Sequence, residues 1–133
     1  MTATACKQPP AQNTSAFKTG LDAEAQAVDA LRAQGFEILA QRYRTPHGEI
    51  DVIACRERLI VFVEVKARRL IDDAAYAITR RQQRRIIAAA TAWLQAATIT
   101  HPDYAGYDLR FDAMLVAKGG TPKHLPAAFD ASD

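Results

Sequence analysis

Thiols are scarce in this 133-residue chain: Cys6 and Cys55 are its only cysteines. Two thiols cannot build a disulfide framework or fill a four-ligand zinc site by themselves. Long apolar runs are also missing. No strictly apolar stretch is longer than Leu59 to Val63, far short of the roughly 20 residues that span a bilayer. The N-terminus lacks the charged-then-apolar pattern of a signal peptide, and no internal repeat is visible. His101 and His124 show no metal-ligand spacing. What is present is ordinary for a folded protein: 49% hydrophobic and 24% charged residues, enough apolar material for one domain with a real core. The sequence reads as a cytoplasmic, single-domain protein.

Its charge is unevenly spread. The net charge is only +2, yet Arg42 to Arg85 holds eleven basic and six acidic residues, a local excess of +5. With Glu49, Asp51 and Glu64 set aside as a metal site, the rest of that segment carries +8. A surface of that sign suits a polyanion.

Residues 1–16 show no apolar period and are expected to form a disordered tail, followed by one domain over 17–129 and a short tail at 130–133. Leu21, Ala25, Val28 and Leu31 recur at helical spacing, with Thr19 and Asp22 as an opening cap and Gly35 as the stop. A first helix is expected over about 20–34. Strands are expected over 36–44, 49–55 and 59–66, the first two separated by the turn signal Pro46-His47-Gly48. The third, Leu-Ile-Val-Phe-Val-Glu-Val-Lys, is apolar on both faces and belongs in the sheet interior. A second helix over about 79–97 buries Ile86, Ala90, Trp93 and Ala97. A last strand covers 107–117, and the chain after it is an extension whose Leu125 and Phe129 tuck onto the body. The fold class is α/β, with order α-β-β-β-α-β and a mixed central sheet flanked by helices.

Polar residues interrupt these strands where they cost most. Glu64 and Lys66 share one face of the third strand, Glu49 and Asp51 one face of the second. A buried Glu and Lys are unfavourable unless paired or binding something. If the two strands form a hairpin, Asp51 and Glu64 lie side by side, and a divalent cation relieves their repulsion. Oxygen ligands alone select Mg2+ or Mn2+. Lys66 then offsets charge developing on a phosphate or orients the attacking water. The chemistry implied is phosphodiester hydrolysis. A cross-strand ion pair is the plainer alternative.

Gly48-Glu49-Ile50-Asp51 and Val61-Phe62-Val63-Glu64-Val65-Lys66 resemble the signature of the YraN-like family of uncharacterised bacterial proteins. That family is placed in the PD-(D/E)XK restriction-endonuclease-like superfamily and is similar to archaeal Holliday junction resolvases. Gly20-Leu21-Asp22-Ala23-Glu24-Ala25-Gln26-Ala27 resembles the family's Gly-x-x-Gly-Glu-x-x-Ala, with Ala23 in place of the second Gly. Thr79-Arg80-Arg81-Gln82-Gln83-Arg84-Arg85 resembles Thr-Pro-x-Lys-Gln-x-Arg, with Arg80 for Pro and Gln82 for Lys. The superfamily's Pro is replaced by Ile50. The resemblance implies a restriction-endonuclease-like fold in which Asp51, Glu64 and Glu24 hold metal, with Lys66 and Gln83 beside them in the catalytic set.

The second helix opens with Arg80, Arg81, Arg84 and Arg85. Like charges at i,i+4 cost roughly 0.2–0.5 kcal/mol per pair, and cations are disfavoured at the positive end of the helix dipole. Such an opening favours phosphate binding over stability; pairing with Asp72 and Asp73 is the other reading. Arg42 and Arg68, with Arg44 and Arg69, extend the basic track. Asp112 reads as an anchor for Arg110 or a loop. The reading from sequence is a Mg2+- or Mn2+-dependent endonuclease of nucleic acid, DNA first, with no membrane partner; junction DNA as substrate would call for a homodimer. The alternatives are a non-catalytic nucleic-acid-binding protein of the same fold and an interaction protein whose carboxylates form only ion pairs.

Overall fold

The computed structural model describes residues 15–68, 78–117 and 120–131, with side chains described from residue 22. Seven main elements follow in order: α1 (Ser15–Ala33), β1 (Glu37–Thr45), β2 (Gly48–Arg56), β3 (Leu59–Arg68), α2 (Arg80–Thr100), β4 (Asp108–Ala117) and β5 (Lys123–Phe129). A 3-10 turn, Pro102–Gly106, joins α2 to β4. The strands form one sheet in the order β1-β2-β3-β4-β5. Among the described residues only the β3–β4 pair is parallel, from Leu59↔Asp108 to Arg68↔Ala117, and α2 lies in its crossover. The expected α-β-β-β-α-β core in a mixed sheet is therefore present. No helix among the described residues is long and apolar enough to cross a membrane.

Side-chain alternation divides the core into two layers. Val61 and Val63 on β3 join Val52 and Ala54 on β2 and pack with Ala23, Ala27, Val28 and Leu31 of α1. Ile60 and Phe62 face the other way, onto Ile86, Ala89, Ala90 and Trp93 of α2. β3 is thus covered on both sides, as its continuous apolar run requires. The helix ends follow local chemistry. After α1, Gly35 adopts φ +91°; its N–H reaches the Arg32 carbonyl and the Phe36 N–H the Leu31 carbonyl, at 2.9 and 3.0 Å. This is the Schellman pattern, with Phe36 closing on Leu31 in the core. At α2, the Thr79 hydroxyl accepts from the Gln82 N–H and the Gln82 side chain accepts from the Thr79 N–H, a complete capping box.

Two features differ from the sequence reading. α1 begins at Ser15, ahead of the cap expected at Thr19: Ala16, Phe17 and Lys18 extend the helix, and Gly20 is carried inside it at a cost of about 1 kcal/mol. The C-terminal extension is a fifth strand, antiparallel to β4 through Ala113↔Leu125 and Leu115↔Lys123. Pro126 hides its strand character in the sequence, and an edge strand is where proline is tolerated. Leu125 and Phe129 do pack onto the α2-side core. Of the tail expected over residues 1–16, Ser15 and Ala16 belong to α1 instead; residues 1–14, Arg69, Asp72 and Asp73 lie outside the described residues.

β5 is locked by Asp112, a fully buried carboxylate. Its oxygens accept from Arg110 Nε and Nη2 at 2.8 and 2.9 Å and from the Ala127 N–H at 3.0 Å, and one lies 2.6 Å from His124 Nε2. Burial pushes its pKa up, but the bonds from His124, Arg110 and Ala127 outweigh burial and hold it below the ordinary value. A lowered carboxyl pKa adds stability above the unfolded value of about 3.9, which is lost as pH falls through the folded one.

Asp112→Asn is expected to cost about 3 kcal/mol at neutral pH, with the deficit against wild type shrinking in acid below the ordinary carboxylate range; urea unfolding across pH measures both. Gly48 gives a second test. A Cβ there would collide with the Arg85 carbonyl oxygen, whereas at Gly106 the nearest atom is the end of the Arg58 side chain at 3.5 Å. Gly48→Ala is expected to destabilise by roughly 1–3 kcal/mol through overpacking, and Gly106→Ala by much less, as read from thermal melts.

Candidate metal and phosphate site

β2 and β3 pair from Arg56↔Leu59 to Val52↔Val63, where their register ends. β3 runs on beside β4 to Arg68. At the parting point the Asp51 carboxylate takes the place of the missing ladder: its Oδ2 accepts the Val65 N–H at 2.7 Å. This fixes Asp51 beside β3, next to Glu64. Lys66, two residues on along the same face, places its ammonium 3.1 Å from Glu64 Oε2.

These groups wall a cavity of about 300 Å3, lined by Glu49, Asp51, Glu64, Val65, Lys66, Gln82, Arg85 and Ile86. β2 and β3 supply the acids and Lys66, and the first turns of α2 the opposite wall. The β1–β2 turn seats that wall. Thr45 Oγ1 accepts from the His47 and Gly48 N–H groups and donates to the Gly48 carbonyl, and Gly48 has no side chain to keep the Arg85 backbone away.

Glu24 approaches from α1. Its carboxylate meets Arg42 Nε at 3.1 Å. The pairs Gln41↔Val52 and Tyr43↔Ile50 place Arg42 across from Asp51. Arg42 is in the left-handed region at φ 52°, a conformation that costs a non-glycine residue about 1–2 kcal/mol. Strained residues of this kind gather at functional sites.

The electrostatics are those of crowded acids. Burial, the charge of Glu64, a hydrogen bond with Glu64 and the charge of Glu24 raise the Asp51 pKa to about 8, against the lowering effect of the Val65 N–H. The Glu24 pKa is raised too, by burial first and by Glu49, although Arg42 pulls it down. Among the described residues, no three His, Cys, Asp or Glu side chains are spaced to hold an ion together. Asp51 and Glu64 do converge, with Glu49 also on the lining and no thiol or imidazole there. That donor set fits Mg2+, which commonly takes one or two carboxylates and keeps the rest of its shell for water and substrate phosphate.

The structure brings Asp51, Glu64 and Lys66 together as expected, with Glu24 close by but ion-paired. Gln83 is placed differently: its Nε2 donates to the Ile78 carbonyl at 2.9 Å, and the residue lining the cavity is Gln82. One residue step turns a helix by about 100°, so only one of the two faces the acids. The Thr-x-x-Gln capping pattern at Thr79–Gln82 was the sequence signal for Gln82. Arg80, Arg81, Arg84 and Arg85 are all exposed, and Arg85 borders the cavity. Arg68, exposed at the end of β3, donates to the Ala67 carbonyl. Arg42, expected in the basic track, is engaged with Glu24.

A raised Asp51 pKa has a defined sign. Between about 3.8 and 8 the unfolded chain has released a proton that the fold keeps, so stability falls as pH rises through that window. In metal-free buffer, Asp51→Asn is therefore expected to melt above wild type by a margin that widens from pH 4 to 8, and added Mg2+ to raise the melting temperature of wild type only. A margin flat with pH contradicts this account.

Sequence comparison agrees with the resemblance noted above. Residues 23–116 match the uncharacterised protein family UPF0102. The chain is 61% identical over 125 residues to a UPF0102 protein of Rhodopseudomonas palustris (strain BisB5), covering 93% of this chain and 92% of that one. It is 59% identical over 133 residues to one from Bradyrhizobium sp. (strain BTAi1), covering 98% and 95%. A third, from Nitrobacter winogradskyi, is 58% identical over 118 residues, covering 89% and 97%. The chain belongs to UPF0102, the YraN-like family of uncharacterised proteins.

Proposed function

We propose that this protein is a Mg2+- or Mn2+-dependent endonuclease that hydrolyses phosphodiesters of nucleic acid, DNA in the first place and branched or junction DNA in particular. The observation that carries the reading is the convergence of Asp51, Glu64 and Lys66 on one cavity under the arginine-bearing start of α2. Asp51 and Glu64 would hold the cation, which supplies Lewis-acid polarisation of a phosphoryl oxygen and lowers the pKa of water. Lys66 places an ammonium where charge builds on the phosphate in the transition state. Arg85 at the cavity rim and Arg80, Arg81 and Arg84 nearby position the backbone by neutralising phosphates. Gln82 is fixed by the capping box, so it presents a rigid amide to the same space. Cutting both strands of a branched duplex takes two such sites, so the reading includes a two-fold dimer. It also places the protein in the cytoplasm.

One observation favours a second reading. Glu64 is ion-paired to Lys66, Glu24 to Arg42, and no three candidate ligands share an ion-holding spacing among the described residues. A non-catalytic nucleic-acid-binding protein would keep the arginines and use the acids as structural pairs.

The deciding experiment is a cleavage panel of branched, nicked and single-stranded DNA and RNA with Mg2+ or Mn2+. Wild type is expected to cut at least one DNA substrate, and Glu64→Ala and Lys66→Ala each to lose about a hundredfold or more in rate while retaining binding. Salt-sensitive binding without cleavage by wild type establishes the second reading.

A further inference from the structure

We propose that Arg42 is a positioning residue that withholds Glu24 from the cation and so sets the metal affinity of the site. This inference rests on the metal-dependent reading above. Arg42 Nε stands 3.1 Å from Glu24 Oε1, and both side chains are largely shielded, with relative exposures of 31% and 16%. Partial shielding strengthens such a pair and reduces its screening by salt. The backbone is committed to the arrangement: Arg42 is in the left-handed region directly across from Asp51. Glu24 is close enough for its charge to bear on Asp51. It is nonetheless outside the lining of the cavity that Asp51 and Glu64 share, and no three-carboxylate group forms among the described residues.

An oxygen neutralised by a guanidinium is a poor ligand for a dication, because the cation must displace one positive charge to gain access to one negative charge. Glu64 is paired as well, to Lys66 at 3.1 Å, but it lines the cavity beside Asp51 and Glu49, whereas Glu24 lies outside that lining; Glu24 is the acid held in reserve. Removing the Arg42 guanidinium frees it. Simple loss of a nearby positive charge would also favour a cation, but it would do so whether or not residue 24 carries a carboxylate. The two effects separate in a double-mutant cycle.

The experiment is Mn2+ titration by calorimetry on wild type, Arg42→Gln, Glu24→Gln and the double variant, with Asp51→Asn as the control for the site. Arg42→Gln is expected to bind Mn2+ about tenfold tighter than wild type, equivalent to about 1.4 kcal/mol. In the Glu24→Gln background the same change is expected to alter affinity less than about twofold, since a free side chain adds nothing without its carboxylate. Arg42→Asn is the companion variant, because Asn tolerates that backbone conformation and keeps the test available if Arg42→Gln does not fold. An unchanged or weaker affinity in the folded Arg42 variants overturns the inference while leaving the metal site standing. So does equal tightening in both backgrounds, which assigns the effect to charge alone. If wild type binds no Mn2+ that Asp51→Asn abolishes, the metal reading and this inference fall together.

Discussion

The hydrogen bond from the Val65 N–H to Asp51 Oδ2 governs the site. Where β2 leaves β3, a half-buried backbone donor is left without a ladder partner, and an N–H shielded from water needs one. A carboxylate supplies it. The same bond brings Asp51 against Glu64, so satisfying the backbone creates an electrostatic problem: two acids share one poorly solvated corner. The fold tolerates this by keeping a proton on Asp51 well above the usual carboxylate range. A hard dication would resolve it more completely, because both carboxyl groups could then ionise.

The rest of the architecture holds that corner in place. β3 is fixed by β4 on one side and by two layers of apolar side chains above and below. The capping box aims the start of α2 at the acids, and the bare backbone of Gly48 lets the helix come close. On the far edge, Asp112 gathers Arg110, His124 and the Ala127 N–H into a buried network that pins β5. It is an acid of the opposite kind from Asp51. Asp112 is surrounded by donors and stays ionised; Asp51 has acidic neighbours and keeps its proton.

Much of this was legible in the sequence. The two-residue period of a strand put Glu64 and Lys66 on one face, and the hairpin put Asp51 beside them. Gly35 ended the first helix as its φ requires. What escaped depended on contacts between distant residues or on a rotation too fine for a pattern. β5 was hidden because Pro126 and short alanines carry little strand signal. The His124–Asp112 contact spans two strands whose pairing could not be known. Gln82 and Gln83 differ by one helical step, and only the capping geometry decides which faces the acids. Arg42 looked like part of a basic track until the register of β1 set it across from Asp51 and next to Glu24.

The most direct test of the central claim is anomalous diffraction from crystals soaked in Mn2+. The account predicts one strong peak in the cavity, roughly 2.1 Å from a carboxylate oxygen of both Asp51 and Glu64. An absent peak, or manganese bound elsewhere with the Glu64–Lys66 pair undisturbed, contradicts it.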